Sequence, residues 1–241
     1  KLVFVTHISN ALGTINPIKE IIQKAHEVDA VVLVDGAQAC SHFKTDLQEL
    51  NADFYTTSAH KLCGPTGIGM LYGKEEWLKK MPPYQGGGEM ISNVTFEKTT
   101  YAELPHKFEA GTPNIVGAIG FGEAINYLNK IGFDNIKNHE SNLLKYATKK
   151  LKMIPNIKIY GDYIDKTSVI SFNIGEIHSY DIGAIFDKFG IAVRTGQHCA
   201  QPIMDYFKIS GTVRVSFSFY NTIEEIDYLH KSLLRAVSML S

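Results

Sequence analysis

With 241 residues, 24 Lys+Arg against 25 Asp+Glu and a net charge of −1, the chain shows no electrostatic footprint for nucleic acid or an anionic membrane surface. A hydrophobic share of 44% with 20% charged residues describes an ordinary soluble globular protein, one large domain or two small ones. No run reaches the ~20 apolar residues of a membrane-spanning helix. The three cysteines, Cys40, Cys63 and Cys199, make neither a disulfide framework nor a CxxC spacing. With no metal-ligand spacing and no signal-peptide pattern, a cytoplasmic protein fits best.

The chain opens at Lys1 inside an apolar run, residues 2–8, which reads as a strand delivering Ser9 and Asn10 at its end. Asn10 there suits an Asx-turn. Asn16-Pro17 predicts a helix start, with Asn16 as N-cap and Pro17 at the first helical position. Ile18, Ile21, Ile22, Ala25 and Val28 follow at helical spacing, and Val31–Asp35 is the next strand. Strand, helix and strand make a right-handed βαβ unit.

An aspartate at the carboxyl end of a buried strand is where α/β sheets present ligand groups, and a buried carboxylate needs a partner. A protonated pyridine nitrogen is one such partner for Asp35; capping the next helix is the local alternative. Residues 41–51 read as a short helix or turn.

A β-like run over 53–57 then leads to Ser58, His60 and Lys61, followed by the glycine-rich turn 64–69 and a second run over 68–72. An amine at a strand end, beside a hydroxyl and an imidazole, can condense with an aldehyde while the small polar groups hold a phosphate. Glycines let the backbone come close and turn sharply. Taken alone, Lys61 reads as a solvated loop lysine.

Further on, Glu75–Lys80 predicts a helix ended by Pro82-Pro83, and Gly86-Gly87-Gly88 a flexible loop. Residues 92–107 lack periodicity and read as a long connection. In Phe108-Glu-Ala-Gly-Thr-Pro-Asn114, Thr112 suits the N-cap of a helix over Ile115–Ile131. A second amphipathic helix covers 135–153 and a strand 168–174. A helix over 179–189 stops at Gly190, and strands cover 191–194 and 212–217. Thr222 with Glu225 forms a capping box on a final helix that turns Ile226, Leu229, Leu233, Leu234 and Val237 inward.

Cys199 follows Arg194-Thr-Gly-Gln-His. The thiolate is the nucleophile, ordinary thiols titrate near ~8.5, and Arg194 and His198 are local candidates for the positive charge that would favour it. A buried structural cysteine is the alternative. Cys40 and Cys63 are expected in the core or packed behind the site. Arg194 and Arg214 lie on or beside short strands, where guanidinium forks suit a carboxylate; a surface salt bridge is the alternative for Arg194.

Val-Asp-Gly-Ala-Gln at 34–38 together with Ser-Ala-His-Lys at 58–61 resembles the class V aminotransferase superfamily of fold-type I pyridoxal 5′-phosphate (PLP) enzymes. Arg194-Thr-Gly-Gln-His-Cys-Ala-Gln-Pro202 narrows the likeness to a cysteine desulfurase of the Suf type (group II), and the resemblance runs nearly end to end.

It implies an α/β fold. A mainly parallel sheet of a truncated large PLP-binding domain would cover residues 1–135, and a smaller α+β domain 136–241. Members of that family carry a phosphate loop and a ring-stacking histidine ahead of this point, so the resemblance implies a C-terminal fragment.

The likeness also implies roles. Lys61 would bind PLP and move the Cα proton, and Asp35 would hold the pyridine nitrogen. Gln38 would contact the phenolic oxygen, with Ser58 and His60 at the phosphate. Thr112 would reach the phosphate of a neighbouring subunit in a homodimer. Asn10, Arg194 and Arg214 would hold the carboxylate of L-cysteine, and Cys199 would take its sulfur as a persulfide. An acceptor protein of the SufE or SufU kind would collect that sulfur for iron–sulfur cluster assembly, leaving alanine. The alternatives are a selenocysteine lyase and a noncatalytic fragment that only dimerises or docks a partner.

Overall fold

The computed structural model describes residues 1–162 and 165–240. The chain falls into two compact units: Lys1–His7 with Pro17–Lys130, and Ile8–Asn16 with the chain from Ile131 onward. Ser241, the last residue of the expected small domain, lies outside the described residues.

The first unit is built on a four-stranded sheet. β1 (Leu2–Thr6) is followed by α1 (Ile18–His26) and β2 (Val31–Asp35), then by the one-turn α2 (Leu47–Leu50), β3 (Phe54–Ser58) and β4 (Gly69–Gly73). The sheet runs β1-β2-β3-β4. Its first three strands are parallel, as the βαβ reading requires, and β4 returns antiparallel to β3. Val32 and Val34 of β2 are fully buried against Ile18, Ile22 and Ala25 of α1 and Tyr55 of β3. Each such side chain contributes about 1.5–3 kcal/mol on burial.

Pro17 itself stands at the cap of α1, and its carbonyl accepts the Ile21 N–H. The expected Asn16 cap is therefore one residue early. Under the strand starts, buried Asp53 accepts bonds from Lys74 Nζ (2.8 Å), His26 Nε2 (2.9 Å) and the Val32 N–H (2.8 Å). Burial pushes its pKa up, but these partners outweigh it and hold the carboxyl below the usual range.

After α3 (Glu75–Lys80) comes a hairpin of β5 (Ile91–Val94) and β6 (Thr99–Tyr101). It occupies part of the expected structureless connection. Thr95 makes its turn, Oγ1 accepting the Glu97 and Lys98 N–H groups. All of β5 is exposed, so no buried face printed a period on the sequence. The helix α4 (Ile115–Ile131) completes this part of the chain.

The second unit packs α5 (Phe133–Leu151), α6 (Ser179–Lys188) and α8 (Ile223–Leu240) with an antiparallel sheet. The sheet contains β7 (Ile157–Tyr160), β8 (Val169–Ile174), β9 (Arg194–Gly196) and β10 (Thr212–Ser216), in the order β7-β8-β10-β9, and α7 (Gln201–Phe207) precedes β10. Residues 191–193, expected in the strand, instead leave α6, with the Ile191 N–H on the Phe186 carbonyl. The ladder begins only at Arg194. The Thr222–Glu225 box forms as expected. Leu234 faces out, and Ala236 takes the buried position.

The segment Ile8–Asn16 packs in this unit through the Ser171 hydroxyl on the Ala11 carbonyl and the Thr167 N–H on the Gly13 carbonyl.

Candidate functional site

In the first unit, the register of the parallel strands brings Asp35 opposite Thr56, and the Gly36 N–H donates to the Thr56 carbonyl at 2.9 Å. Ser58 ends β3, and one 3₁₀ turn, Ala59–Lys61, carries His60 and Lys61. Asp35, Gln38, Ser58, His60 and Lys61 therefore gather at the carboxyl ends of two adjacent parallel strands, where such sheets present ligand groups.

The turn beneath Lys61 is tightly held. The Ala59 carbonyl accepts from the Leu62 (2.8 Å) and Gly64 (2.9 Å) N–H groups, and the Ala59 N–H donates to the Ile68 carbonyl (3.1 Å). A Cβ at Gly69 would meet the Thr57 carbonyl at 2.5 Å, so the return strand needs glycine there.

Asp35 departs from expectation. Its side chain is exposed although its backbone is the last paired position of β2, and Oδ1 accepts the Ala37 N–H at 2.9 Å. The capping alternative is not met, since Gln38 stands at the cap of the following 3₁₀ turn Ala39–Ser41; the one bonded oxygen serves the turn at Ala37 instead. Behind the strand ends, buried Tyr55 fills the space over Gly36, and its hydroxyl lies 2.9 Å from His7 Nδ1 and 3.8 Å from Cys40 Sγ. Burial raises the pKa of Cys40 and Tyr55 and lowers that of His7. Cys40 is half-buried as expected, whereas Cys63 is exposed on the turn after Lys61.

Thr112 is exposed and does not cap α4; Asn114 does, through Oδ1 accepting the Gly117 N–H at 2.9 Å. The Gly111 N–H donates to the Gly88 carbonyl, tying this loop to the glycine run. As a set, an amine, a carboxylate, an imidazole and hydroxyls at the carboxyl ends of two neighbouring strands suit a cofactor with an aldehyde, a ring nitrogen and a phosphate.

The second unit joins the remaining predicted residues. Arg214 of β10 is the Cα partner of Arg194 of β9. Among the described residues, no carboxylate forms an ion pair with either arginine. Arg214 is half-buried with its Nε unpartnered, and burial plus the Arg194 charge pulls its pKa down. Two like charges held together without a counter-ion make a receptor for an anion.

Arg194 Nη2 stands 3.4 Å from the sulfur of exposed Cys199, so the buried-cysteine and salt-bridge readings both fail. Asn10 makes no Asx-turn. Its Nδ2 donates to the His198 carbonyl (2.6 Å), and its own carbonyl accepts from Arg214 Nη1 (2.8 Å). Ser9 serves the turn instead, its hydroxyl accepting the Leu12 N–H.

His198 corrects another expectation. The residue is 2% exposed, and its ring lies 2.8 Å from Thr212 Oγ1. Burial, then the Arg214 and Arg194 charges, pull its pKa down to about 4. It is neutral near pH 7 and supplies no cation to Cys199. Thr212, which sequence reasoning passed over as a strand residue, belongs to this cluster. Its signal was a hydroxyl opening a short apolar strand two residues before Arg214.

A cavity of about 490 Å³ lined by Ile191, Val193, Phe217 and Tyr228 contains none of the predicted residues. Among the described residues there is no cluster of metal ligands and no helix long and apolar enough to cross a membrane.

The Aminotransferase class-V family profile matches residues 1–229. The chain is 51% identical over 238 residues to a cysteine desulfurase of Wigglesworthia glossinidia brevipalpis, a match spanning 98% of this chain and 58% of that relative. Among solved structures it is similar to an apo cysteine desulfurase of Thermococcus onnurineus NA1, at 40% identity and a TM-score of 0.96, covering 100% of this chain and 60% of that one. It is also similar to the Escherichia coli cysteine desulfurase CsdA in its S-sulfonic acid form, at 37% identity and a TM-score of 0.95, with the same 100% and 60% coverage. The expected α/β architecture is thus the one found, and the chain spans about three-fifths of the relatives it matches. It belongs to the class V aminotransferase family.

Proposed function

We propose that this chain serves a PLP-dependent cysteine desulfurase of the Suf type, which converts L-cysteine to L-alanine and transfers the sulfur to Cys199. The observation that carries this reading is the cluster of Arg214, Arg194 and Cys199. An anion receptor on the β9–β10 pair stands beside an exposed thiol in the turn after β9, with Arg194 Nη2 at 3.4 Å from the sulfur. That pairing suits a small substrate bearing both a carboxylate and sulfur.

The residues at the carboxyl ends of β2 and β3 in the first unit fit PLP. Lys61 offers the amine for its aldehyde, Asp35 the carboxylate for its ring nitrogen, and Gln38 a contact to its phenolic oxygen. Ser58, His60 and a second subunit's Thr112 would serve the phosphate. When bound, the cofactor draws electrons from the substrate Cα. Asp35 holds a proton at the ring nitrogen, and the Lys61 amine moves the Cα proton.

Arg194, Arg214 and Asn10 fix the substrate carboxylate, which sets the orientation of the bonds at Cα. The Cys199 sulfur then attacks the substrate sulfur. A sulfur–sulfur bond forms, the substrate carbon–sulfur bond breaks with its electron pair going to carbon, and protonation there gives alanine. Cys199 is left as a persulfide for a protein acceptor of the SufE or SufU kind, supplying iron–sulfur cluster assembly in the cytoplasm.

Exposed Val116 and Ile119 on α4, close in sequence to Thr112, support a homodimer. The domain division that goes with this reading is a cofactor-binding part over residues 1–135 and a small domain over 136–241, with Ile8–Asn16 counted in the packing of the second unit.

The test measures alanine and protein persulfide from L-cysteine in the full natural protein. Wild type should yield both, and Cys199→Ala should lose the persulfide and most of the alanine. Full alanine release by Cys199→Ala would overturn the sulfur-transfer role.

A further inference from the structure

The loop that carries Cys199 is held in a way that neither substrate nor cofactor binding requires. His198 and Cys199 are consecutive non-glycine residues in the left-handed region, with φ of 56° and 55°. That region is disfavoured for residues with a Cβ, so two in succession persist only where the surroundings impose them. The buried contacts on this pair fall on His198. Its ring is buried beneath the loop against fully buried Thr212, and its carbonyl is clasped by Asn10 Nδ2. The turn closes through the Ala200 N–H on the Gln197 carbonyl, 3.0 Å away. Thr212 is itself fixed as the first residue of β10, paired with Gly196 of β9.

We infer that Thr212 is a positioning residue for Cys199, acting through the buried ring of His198. The inference rests on the proposed role of Cys199 as sulfur carrier and deepens it. Thr212 Oγ1 holds the imidazole, the imidazole holds the backbone of residue 198 left-handed, and that backbone aims the Cα–Cβ bond of Cys199 toward Arg194. Without the hydroxyl, the turn relaxes toward commoner backbone angles and the sulfur leaves the guanidinium. An offset of about 1 Å in a reacting atom can cost roughly a hundredfold in rate. Substrate affinity is set by Arg194 and Arg214 and changes little, which separates kcat from KM.

The experiment compares Thr212→Val, which keeps the shape and removes the hydroxyl, with Thr212→Ser, which keeps the hydroxyl. Single-turnover persulfide formation at Cys199, KM for L-cysteine and amide hydrogen exchange over residues 195–200 are measured in the full natural protein. Thr212→Val is expected to slow persulfide formation at least tenfold with KM within twofold. It should also speed exchange over 195–200 at least fivefold while exchange elsewhere stays unchanged. Thr212→Ser should stay within twofold of wild type throughout.

A persulfide rate within twofold of wild type in Thr212→Val would overturn the inference, as would equal losses in both variants or a uniform rise in exchange along the chain. Should Thr212→Val not fold, Thr212→Ala is judged by the same criteria. A wild-type protein that forms no persulfide would overturn the desulfurase reading instead. Exchange over 195–200 would then decide the positioning claim: faster in Thr212→Val upholds it, unchanged overturns it.

Discussion

Acidification should weaken this protein through His198 in particular. The residue is 2% exposed and its pKa falls from the ordinary 6.5 to about 4 in the fold. A histidine with a depressed folded pKa leaves the unfolded chain holding the extra proton. Its contribution is therefore complete above 6.5 and is lost as pH falls toward 4, becoming flat below. Between pH 7 and pH 4.5 the linkage amounts to at most about 2 kcal/mol of stability. The perturbation is His198→Asn, since asparagine tolerates the left-handed backbone and does not titrate. Urea unfolding followed by circular dichroism at several pH values reads the result. Histidines elsewhere, such as His7, cancel in the difference between the two proteins. The wild type should lose about 2 kcal/mol more than the variant over this range. Parallel pH profiles, within about 0.5 kcal/mol, would refute the claim that a buried neutral imidazole supports the Cys199 loop.

Asp53→Asn removes the charge on which Lys74 and His26 converge. It should cost about 2–4 kcal/mol by urea unfolding, because the variant leaves a half-buried ammonium without its counter-ion. Asp53 has a depressed pKa, so its stabilisation is present above about pH 4 and fades as pH falls through the folded value. The acid limb of the wild-type stability profile should flatten in the variant. Gly211→Ala would place a Cβ 2.8 Å from the Gly196 backbone. It should cost about 1–3 kcal/mol by thermal unfolding and weaken carboxylate binding, because β9 must shift away from β10 and carry Arg194 with it.

Much of the frame was legible in the sequence. The apolar run of β2, the spacing of Ile18, Ile22 and Ala25, and the Thr222–Glu225 box each follow local rules that the fold obeys. Lys61 and Asp35 were readable as a pair because both stand at strand ends, and parallel pairing of β2 with β3 makes those ends neighbours. What escaped depends on distant partners. His198 was read as a cation from its place beside Cys199. Only the fold reveals Thr212, fourteen residues on, as the partner that buries its ring. Asn10 looked like a turn former because its real partners, His198 and Arg214, lie 188 and 204 residues away. The β5–β6 hairpin escaped for the opposite reason: local turn chemistry at Thr95 makes it, while β5 is exposed throughout and β6 is only three residues long, too little alternation to read.

The most direct test of the central claim is to identify the lysine that takes up the cofactor. The full natural protein is incubated with PLP, reduced with borohydride, digested and mapped by mass spectrometry. The account predicts a pyridoxyl-phosphate mass on the peptide containing Lys61, its loss in Lys61→Ala and its marked reduction in Asp35→Ala. A label on another lysine, or equal labelling of wild type and Lys61→Ala, would contradict it.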